Sequence, residues 1–360
     1  MTDLLTTPLH AWHVAHNAKM SPFAGWDMPI QYTGIIAEHT HTRKKASLFD
    51  ICHMGEFILK GPGAKGALAK ALTHNLDTLK TGRCRYGFLL NENGGICDDL
   101  IVYHIDVDHY MIVVNAACRA SDYALIASRL PAALSLEDVS DKMGKIDLQG
   151  PASLDAFERI LPGPWRRMPY FGMVRATFDG APLLVSRTGY TGELGFELYM
   201  PVAKALPLWE ACLADPEVEA AGLGARDTLR LEVGLPLYGQ DLDTGHTPAE
   251  AGYQGMLTST ADYAGKARAG DVREKLIGLA FESRRSARHN DVVFLDGKKA
   301  GRVTSASFAP SLGYAVALAY VAAEHASAER FTVAAAKTEL SATRVDLPFY
   351  TRGSARMKLT

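Results

Sequence analysis

The sequence predicts an α+β fold, and three observations carry that reading. Strand-like and helix-like segments mix without regular βαβ alternation. Apolar runs at 84–91, 96–103 and 109–116 are joined by two tight polar turns. From residue 276 the texture changes to short strands with turn residues between them, which marks a separate all-β module, a small barrel or sandwich.

The elements follow in chain order. Residues 2–20 carry an apolar stripe and read as a helix. His10, His13 and His16 interrupt that stripe, but no carboxylate or cysteine completes a ligand set and the spacing drifts around a helix, so no metal site is expected. "FAGWDMPIQY", from Phe23 to Tyr32, reads as a loop packed by its own aromatic side chains, because Gly25 and Pro29 break helix. "SLFDICHMGEFILKG" reads as a strand with a kink at Gly55. "GPGAKGALAKALTHNL" is a helix with Pro62 near its first turn. Asn93-Gly94-Gly95 and Asp106-Val107-Asp108 then close two hairpins. A helix near 118–130, a strand near 143–149 and a helix over "GPASLDAFERIL" come next. "PLLVSRTGYTGELGFELYM" forms a hairpin-like pair around the polar turn 187–195, followed by helices near 203–214 and 222–233. Asp296-Gly297 marks a hairpin in the last module.

Composition bounds the function. The chain has 360 residues, 48% of them hydrophobic, enough for two or three packed modules. Its 38 basic and 40 acidic residues nearly cancel, so no nucleic-acid or anionic-membrane partner is implied. The five cysteines are odd in number and none has C-x-x-C spacing, which points to reduced thiols in a cytoplasmic compartment. No secretory leader is visible at the N-terminus, and no apolar run is long enough to span a membrane.

Asp98 and Asp99, in "NENGGICDDLIVY", lie between a glycine turn and an apolar run. On a strand they point to opposite faces, both mostly apolar, and a buried carboxylate is costly unless paired or protonated. A second turn centred near Val107 places Asp99 opposite Asn115. A first turn centred near Asn93 places it opposite Gly87, one residue from Tyr86. A carboxylate, an amide and a phenol would then gather around a glycine gap and could hold a planar polar ligand edge. A turn-proximal Asp bonded to backbone amides is the competing explanation. Cys97, beside them, is a candidate nucleophile but reads more simply as a small apolar strand residue.

In "GLGARDTLRLEVGLPLYG", Arg226 and Arg230 share one helix face and could clamp an anion, or pair with Asp227 and Glu232. "GPGAKG" is too short for a phosphate loop, and a hairpin turn explains the glycines of "GYTGELG".

Taken together, the stretches "FAGWDMPIQY", "FDICHMGEF", "NENGGICDDLIVY", "VVNAA", "LQGP", "SRTGYTGELGFEL", "GLGARDTLRLEVGLPLYGQDLD", "TPAEAG", "GRVTSASFAPSLGYAVALAYV" and "LPFY" make the chain similar, nearly end to end, to the T-protein family of the glycine cleavage system. The resemblance implies a three-part fold with two interleaved α+β domains around a central folate channel and a C-terminal β-barrel or sandwich. It implies a folate region over 1–270, built from 1–55 with 140–270 and from 56–139, and a barrel over 275–360. It also implies aminomethyl transfer from the lipoyl arm of an H-protein to tetrahydrofolate, with no metal. By motif, Asp99 is the implied catalytic carboxylate. Met54, Tyr86, Asn115, Tyr190, Glu197 and Arg226 are implied folate contacts.

In the tail, Arg352 and Arg356 are candidate folate contacts. With Lys358 they could instead steer an acidic H-protein, and removal of everything after Tyr350 is expected to cost little stability. The chain departs from the family at "DICHMGE", where "DVSHMGE" is usual, and at "YQGMLTSTADYAGKARAG", which lacks an expected tryptophan. Relatives with demethylase activity, or with a role in iron–sulfur maintenance, share the scaffold. The Lys-Gly-Cys stretch of the latter is missing.

Overall fold

The computed structural model describes residues 4–335 and 338–359. A mixed sheet, an antiparallel sheet and a barrel organise the described chain. One sheet has six strands, in the order Met173–Phe178, Ala181–Ser186, Gly195–Pro201, Met143–Gln149, Ala46–Asp50, Val218–Ala220. The other has five, in the order Arg83–Leu90, Ile96–Asp106, His109–Val114, Gly55–Lys60, Ser135–Asp138. Glu274–Phe281 and the five strands that follow close into a six-stranded barrel, so of the two expected architectures the barrel is the one formed.

Alternation along the strands decides what each sheet face buries. Ile146, Leu148, Phe196 and Leu198 pack under the helices Ser153–Ile160 and Ala205–Leu213. Val102, Ile112 and Phe57 pack under Ala64–Ala71 and Arg119–Arg129. The opposite faces meet each other through Cys84, Tyr103, Met111, Val113 and Tyr199. Polar side chains that alternate with those apolar residues are thereby turned into the space between the sheets. The helix Leu223–Glu232 joins these layers to the barrel, with Leu231 packed on Ala309, Val316 and Leu318. Among the described residues no helix is long and apolar enough to cross a membrane.

Three local expectations need correction. Of residues 4–20 only His10–Ala15 is α-helical, and a strand begins at Lys19; residues 2 and 3 lie outside the described residues. The aromatic segment is not a loop but half of a hairpin, Lys19–Phe23 with Trp26–Gln31. Its two-residue turn has positive φ at both Ala24 (50°) and Gly25 (84°), the geometry that matches strand twist. The single kinked strand is in fact two, Ala46–Asp50 and Gly55–Lys60, in different sheets. Gly55 is required by packing, since a Cβ there would lie 2.7 Å from Val114 Cγ2.

The three histidines diverge. His13 Nε2 bonds Asp50 Oδ2 at 2.9 Å, His10 bonds Asp27 at 2.8 Å, and the His16 ring stacks on Trp12 at 3.7 Å.

Candidate active site

The strand Ile96–Asp106 brings Asp98 and Asp99 to opposite faces, Asp98 fully buried and Asp99 partly exposed. Away from its turn the second hairpin has the register that centring on Val107 gives, Ile101 pairing with Val113 and Tyr103 with Met111, but Asp106 pairs with His109 and the register shifts at Ile105. Asn115, just past the paired segment, donates through Nδ2 to Asp99 Oδ1 at 3.0 Å and Asp98 Oδ1 at 2.8 Å. The first hairpin differs from expectation by one residue. Leu90 pairs with Ile96, as the turn dictates, but Leu89 pairs with Asp98, leaving Cys97 as an extra residue in a β-bulge. Asp99 therefore faces Phe88 rather than Gly87, and Tyr86 moves onto the same face as Asp99. Tyr86 Oη donates to Asp99 Oδ2 at 3.0 Å.

Burial, then the adjacent Asp98 charge, pushes the Asp99 carboxyl up to about 7, against the pull of the Tyr86 and Asn115 hydrogen bonds. Two more phenols feel its charge, Tyr190 and Tyr253. The Tyr253 ring sits 5.7 Å from that of Tyr86. Tyr190 Oη donates to the Pro236 carbonyl.

The second part of the site comes from the six-stranded sheet. Glu197 lies opposite Asp147, and Tyr199 opposite Lys145, so these four side chains share the face between the sheets. Glu197 Oε2 accepts hydroxyl bonds from Thr188 at 2.8 Å, Tyr199 at 3.0 Å and Tyr103 at 3.2 Å. Burial pushes the Glu197 carboxyl up, but Lys145, 3.9 Å away, the Thr188 hydroxyl and Arg226 outweigh it and hold the group below its ordinary value. Lys145 is 1% exposed on its side chain, and its Nζ lies 3.3 Å from Met54 Sδ. Arg226 forms an ion pair with Asp147 and stands 5.1 Å over the Tyr190 ring. Burial and the Glu197 charge still leave Asp147 raised to about 6, Arg226 notwithstanding.

Asp99, Tyr86 and Asn115 thus form one group, and Glu197, Arg226 and Met54 a second, with Tyr190 between them. Arg356 lies apart, 5.6 Å over the Tyr170 ring, on a cavity of about 470 Å³ that Thr188, Arg187 and Tyr350 also line. Thr188 links this cavity to Glu197.

Arg230 does not join Arg226 as a clamp. It is 1% exposed and saturated by Asp241 at 2.7 Å, Asp227 at 2.8 Å and Ser305 at 2.9 Å. Glu232 pairs with Arg43 and His39 instead. The tail is not a solvated end: Ser354 Oγ is bonded to Glu193 and accepts from the Leu194 amide at 2.9 Å, while Arg187 donates to the carbonyls of Ala355 and Met357.

Lys145, Asp147, Thr188, Tyr199 and Tyr253 escaped the sequence reading. The available signal was charge alternating with apolar residues in "KIDLQG", which reads equally as a solvated strand face. Burial of that face is decided by the distant five-stranded sheet.

The sequence matches the GCVT N-terminal domain over residues 9–260 and the glycine cleavage T-protein C-terminal barrel domain over 274–351. It is 40% identical to an aminomethyltransferase of Synechococcus elongatus, covering 98% of this chain and 97% of that one. It is 38% identical to one from Listeria monocytogenes, with 98% and 99% covered. The crystal structure of glycine cleavage system aminomethyltransferase T from Bartonella henselae superposes with a TM-score of 0.92 at 32% identity, over 98% of this chain and 99% of that one. Fold and full-length similarity together define an aminomethyltransferase, a tetrahydrofolate-dependent enzyme class. The chain belongs to the glycine cleavage T-protein family.

Proposed function

We propose that the enzyme takes the aminomethyl group from the dihydrolipoyl sulfur of a lipoylated H-protein and delivers its carbon to tetrahydrofolate, with Asp99 at the reacting atoms. The carbon–sulfur and carbon–nitrogen bonds of the donor break. Two carbon–nitrogen bonds to the folate form, giving 5,10-methylenetetrahydrofolate, ammonia and the free dihydrolipoyl thiol. Tetrahydrofolate supplies the amine nitrogens that accept the carbon; every other contribution falls to the protein.

The observation that carries this reading is Asp99 itself, a carboxyl with its pKa near neutrality, held by Tyr86 and Asn115. Such a group can accept the proton that an attacking amine must lose and support the positive charge of departing ammonia. Its main contribution is electrostatic and positional, because Tyr86 and Asn115 fix the carboxylate plane before any ligand arrives.

Glu197 supports a folate fit. Its three hydroxyl bonds all go to Oε2, so Oε1 is the oxygen available to the donor edge of a pterin. Arg226 and Tyr190 offer a cation and a flat ring beside it. The cavity of about 470 Å³ is large enough for part of a ligand of that size, and Arg356 on its lining supports a contact with a glutamate carboxylate. We place the reaction in the cytoplasm, in keeping with five cysteines that are all free thiols.

Turnover with aminomethylated H-protein and tetrahydrofolate, run beside a panel of methylated small donors, tests the proposal. Ammonia and methylenetetrahydrofolate in equal amounts from the H-protein donor are expected. Turnover from a methylated small donor alone would overturn it.

A further inference from the structure

Behind Asp99 lies a second pair of carboxyls that the proposed chemistry does not use. Asp98 and Asp122 are 0% and 1% exposed, and a carboxylate oxygen of each lies within 4.8 Å of the other and of Cys118 Sγ. Asp122 comes from the helix Arg119–Arg129, which covers this face of the strand. Asp98 spends its oxygens on Asn115: Oδ2 accepts from the Asn115 backbone amide at 2.9 Å, and Oδ1 from Nδ2 at 2.8 Å. The same Nδ2 reaches Asp99 Oδ1 at 3.0 Å. Asp122 Oδ2 has no hydrogen-bond partner among the described residues.

Two carboxylates this close in a dry interior cannot both be ionised. What compensation there is falls on Asp98, through the Asn115 hydrogen bonds and the Cys118 thiol. Cys97, Cys118 and Tyr238 face the pair, and burial pushes all three up, so they stay neutral. Asp99, on the next residue, adds negative charge. Arg129 is the nearby cation, and its guanidinium is held by the carbonyls of Ala71 and Leu90. One proton must be shared, and the partners decide where it rests. Asp98 already accepts two bonds as a carboxylate, whereas Asp122 Oδ2 accepts none among the described residues. Burial and the Asp98 charge accordingly push the Asp122 carboxyl up to about 10.

We propose that Asp122 is a neutral carboxylic acid that donates a hydrogen bond to Asp98, and that this acid–carboxylate pair fixes the Asn115 amide and, through it, Asp99. Asp122 is a positioning residue, one helix removed from the reacting atoms. The inference rests on Asp99 as the reacting carboxyl, and it assigns a reason for two adjacent aspartates: one faces the substrate, the other aims the amide that holds it.

The test compares Asp122→Asn with Asp122→Ala. An asparagine amide still donates to Asp98, so Asp122→Asn is expected to keep turnover within about threefold, while Asp122→Ala lowers it by about tenfold or more at unchanged tetrahydrofolate affinity, the scale of a lost hydrogen bond to a charged group. Infrared difference spectra, wild type minus Asp122→Asn, are expected to show the carbonyl band of a buried protonated carboxyl at neutral pH. That band is read without turnover, so it stands if Asp122→Ala fails to fold and also if another residue proves to be the reacting group. Absence of the band, or an Asp122→Asn enzyme as slow as Asp122→Ala, overturns the proposal. So does a stoichiometric divalent metal in the wild type that Asp122→Asn loses, which would make the cluster a cation site.

Discussion

Tyr86 Oη donates to Asp99 Oδ2 at 3.0 Å although the two residues are not opposite each other: Tyr86 pairs with Ile101, and Asp99 with Phe88. The bond is diagonal and exists because the bulge at Cys97 puts both side chains on one face. That hydroxyl stabilises the charged form of Asp99. Tyr86→Phe is therefore expected to raise the Asp99 pKa above about 7 and move the acid limb of the rate profile to higher pH, with about a fivefold loss of turnover at neutral pH. An unmoved limb in a pH–rate series would show that the bond does not bear on the reacting group.

Asp99 is expected to lower stability as pH rises. Its folded-state value of about 7 lies above the ordinary 3.8, so between these values the folded enzyme holds a proton that the unfolded chain has released. The contribution of this group to stability falls through that window. Asp99→Asn removes the titration. Denaturant melts are expected to find the variant more stable than the parent near about pH 8, with the gap closing toward about pH 4.

The pair of Arg226 with Asp147 makes a different pH signature. Arg226→Met removes the ion-pair partner of a fully buried carboxyl and leaves it the field of Lys145 alone, which costs about 3 kcal/mol when that carboxyl is charged. Asp147 already stands at about 6 with Arg226 present, so without it the group protonates more readily, and the loss is expected to shrink as pH falls below neutrality. Thermal melts across pH read this directly. Calorimetry with tetrahydrofolate is expected to show affinity reduced about 10- to 100-fold for Arg226→Met and for Glu197→Ala. Unchanged affinity in both would remove them from the proposed pterin edge.

Removal of the chain after Tyr350 is expected to lower thermal stability as well as raise the Michaelis constant for folate or H-protein. The contacts argue against the expectation of a truncation that costs little stability, because Arg187 would lose the carbonyls of Ala355 and Met357, and Glu193 would lose Ser354. A melting temperature equal to that of the full chain would contradict this.

Local chemistry was legible in the sequence at some of the turns and hidden at others. The hairpin around Val107 puts Asn115 beside Asp99 although its loop is Val107-Asp108: Asp106 pairs with His109, and a register shift at Ile105 restores the pairing that centring on Val107 gives. One inserted residue defeated the same logic at Cys97, since a bulge leaves no mark in an apolar run. Gly55 looked like a kink because a glycine required by packing against Val114 and a glycine required by backbone geometry are the same letter. The short hairpin at Ala24 and Gly25 was hidden for the opposite reason: alanine rarely supplies positive φ, so the turn went unread. Lys145 and Asp147 were invisible as site residues because what buries them is a sheet assembled from a different stretch of chain.

The most direct measurement is single turnover of aminomethylated H-protein with saturating tetrahydrofolate, followed against pH for wild type and Asp99→Asn. The expected wild-type profile has a limb near about 7, the value burial and Asp98 give the Asp99 carboxyl. In Asp99→Asn that limb disappears, the rate falls about 100-fold or more, and tetrahydrofolate affinity stays within about tenfold. An Asp99→Asn enzyme that keeps the wild-type rate and the same limb would contradict the assignment of this carboxyl to the reaction.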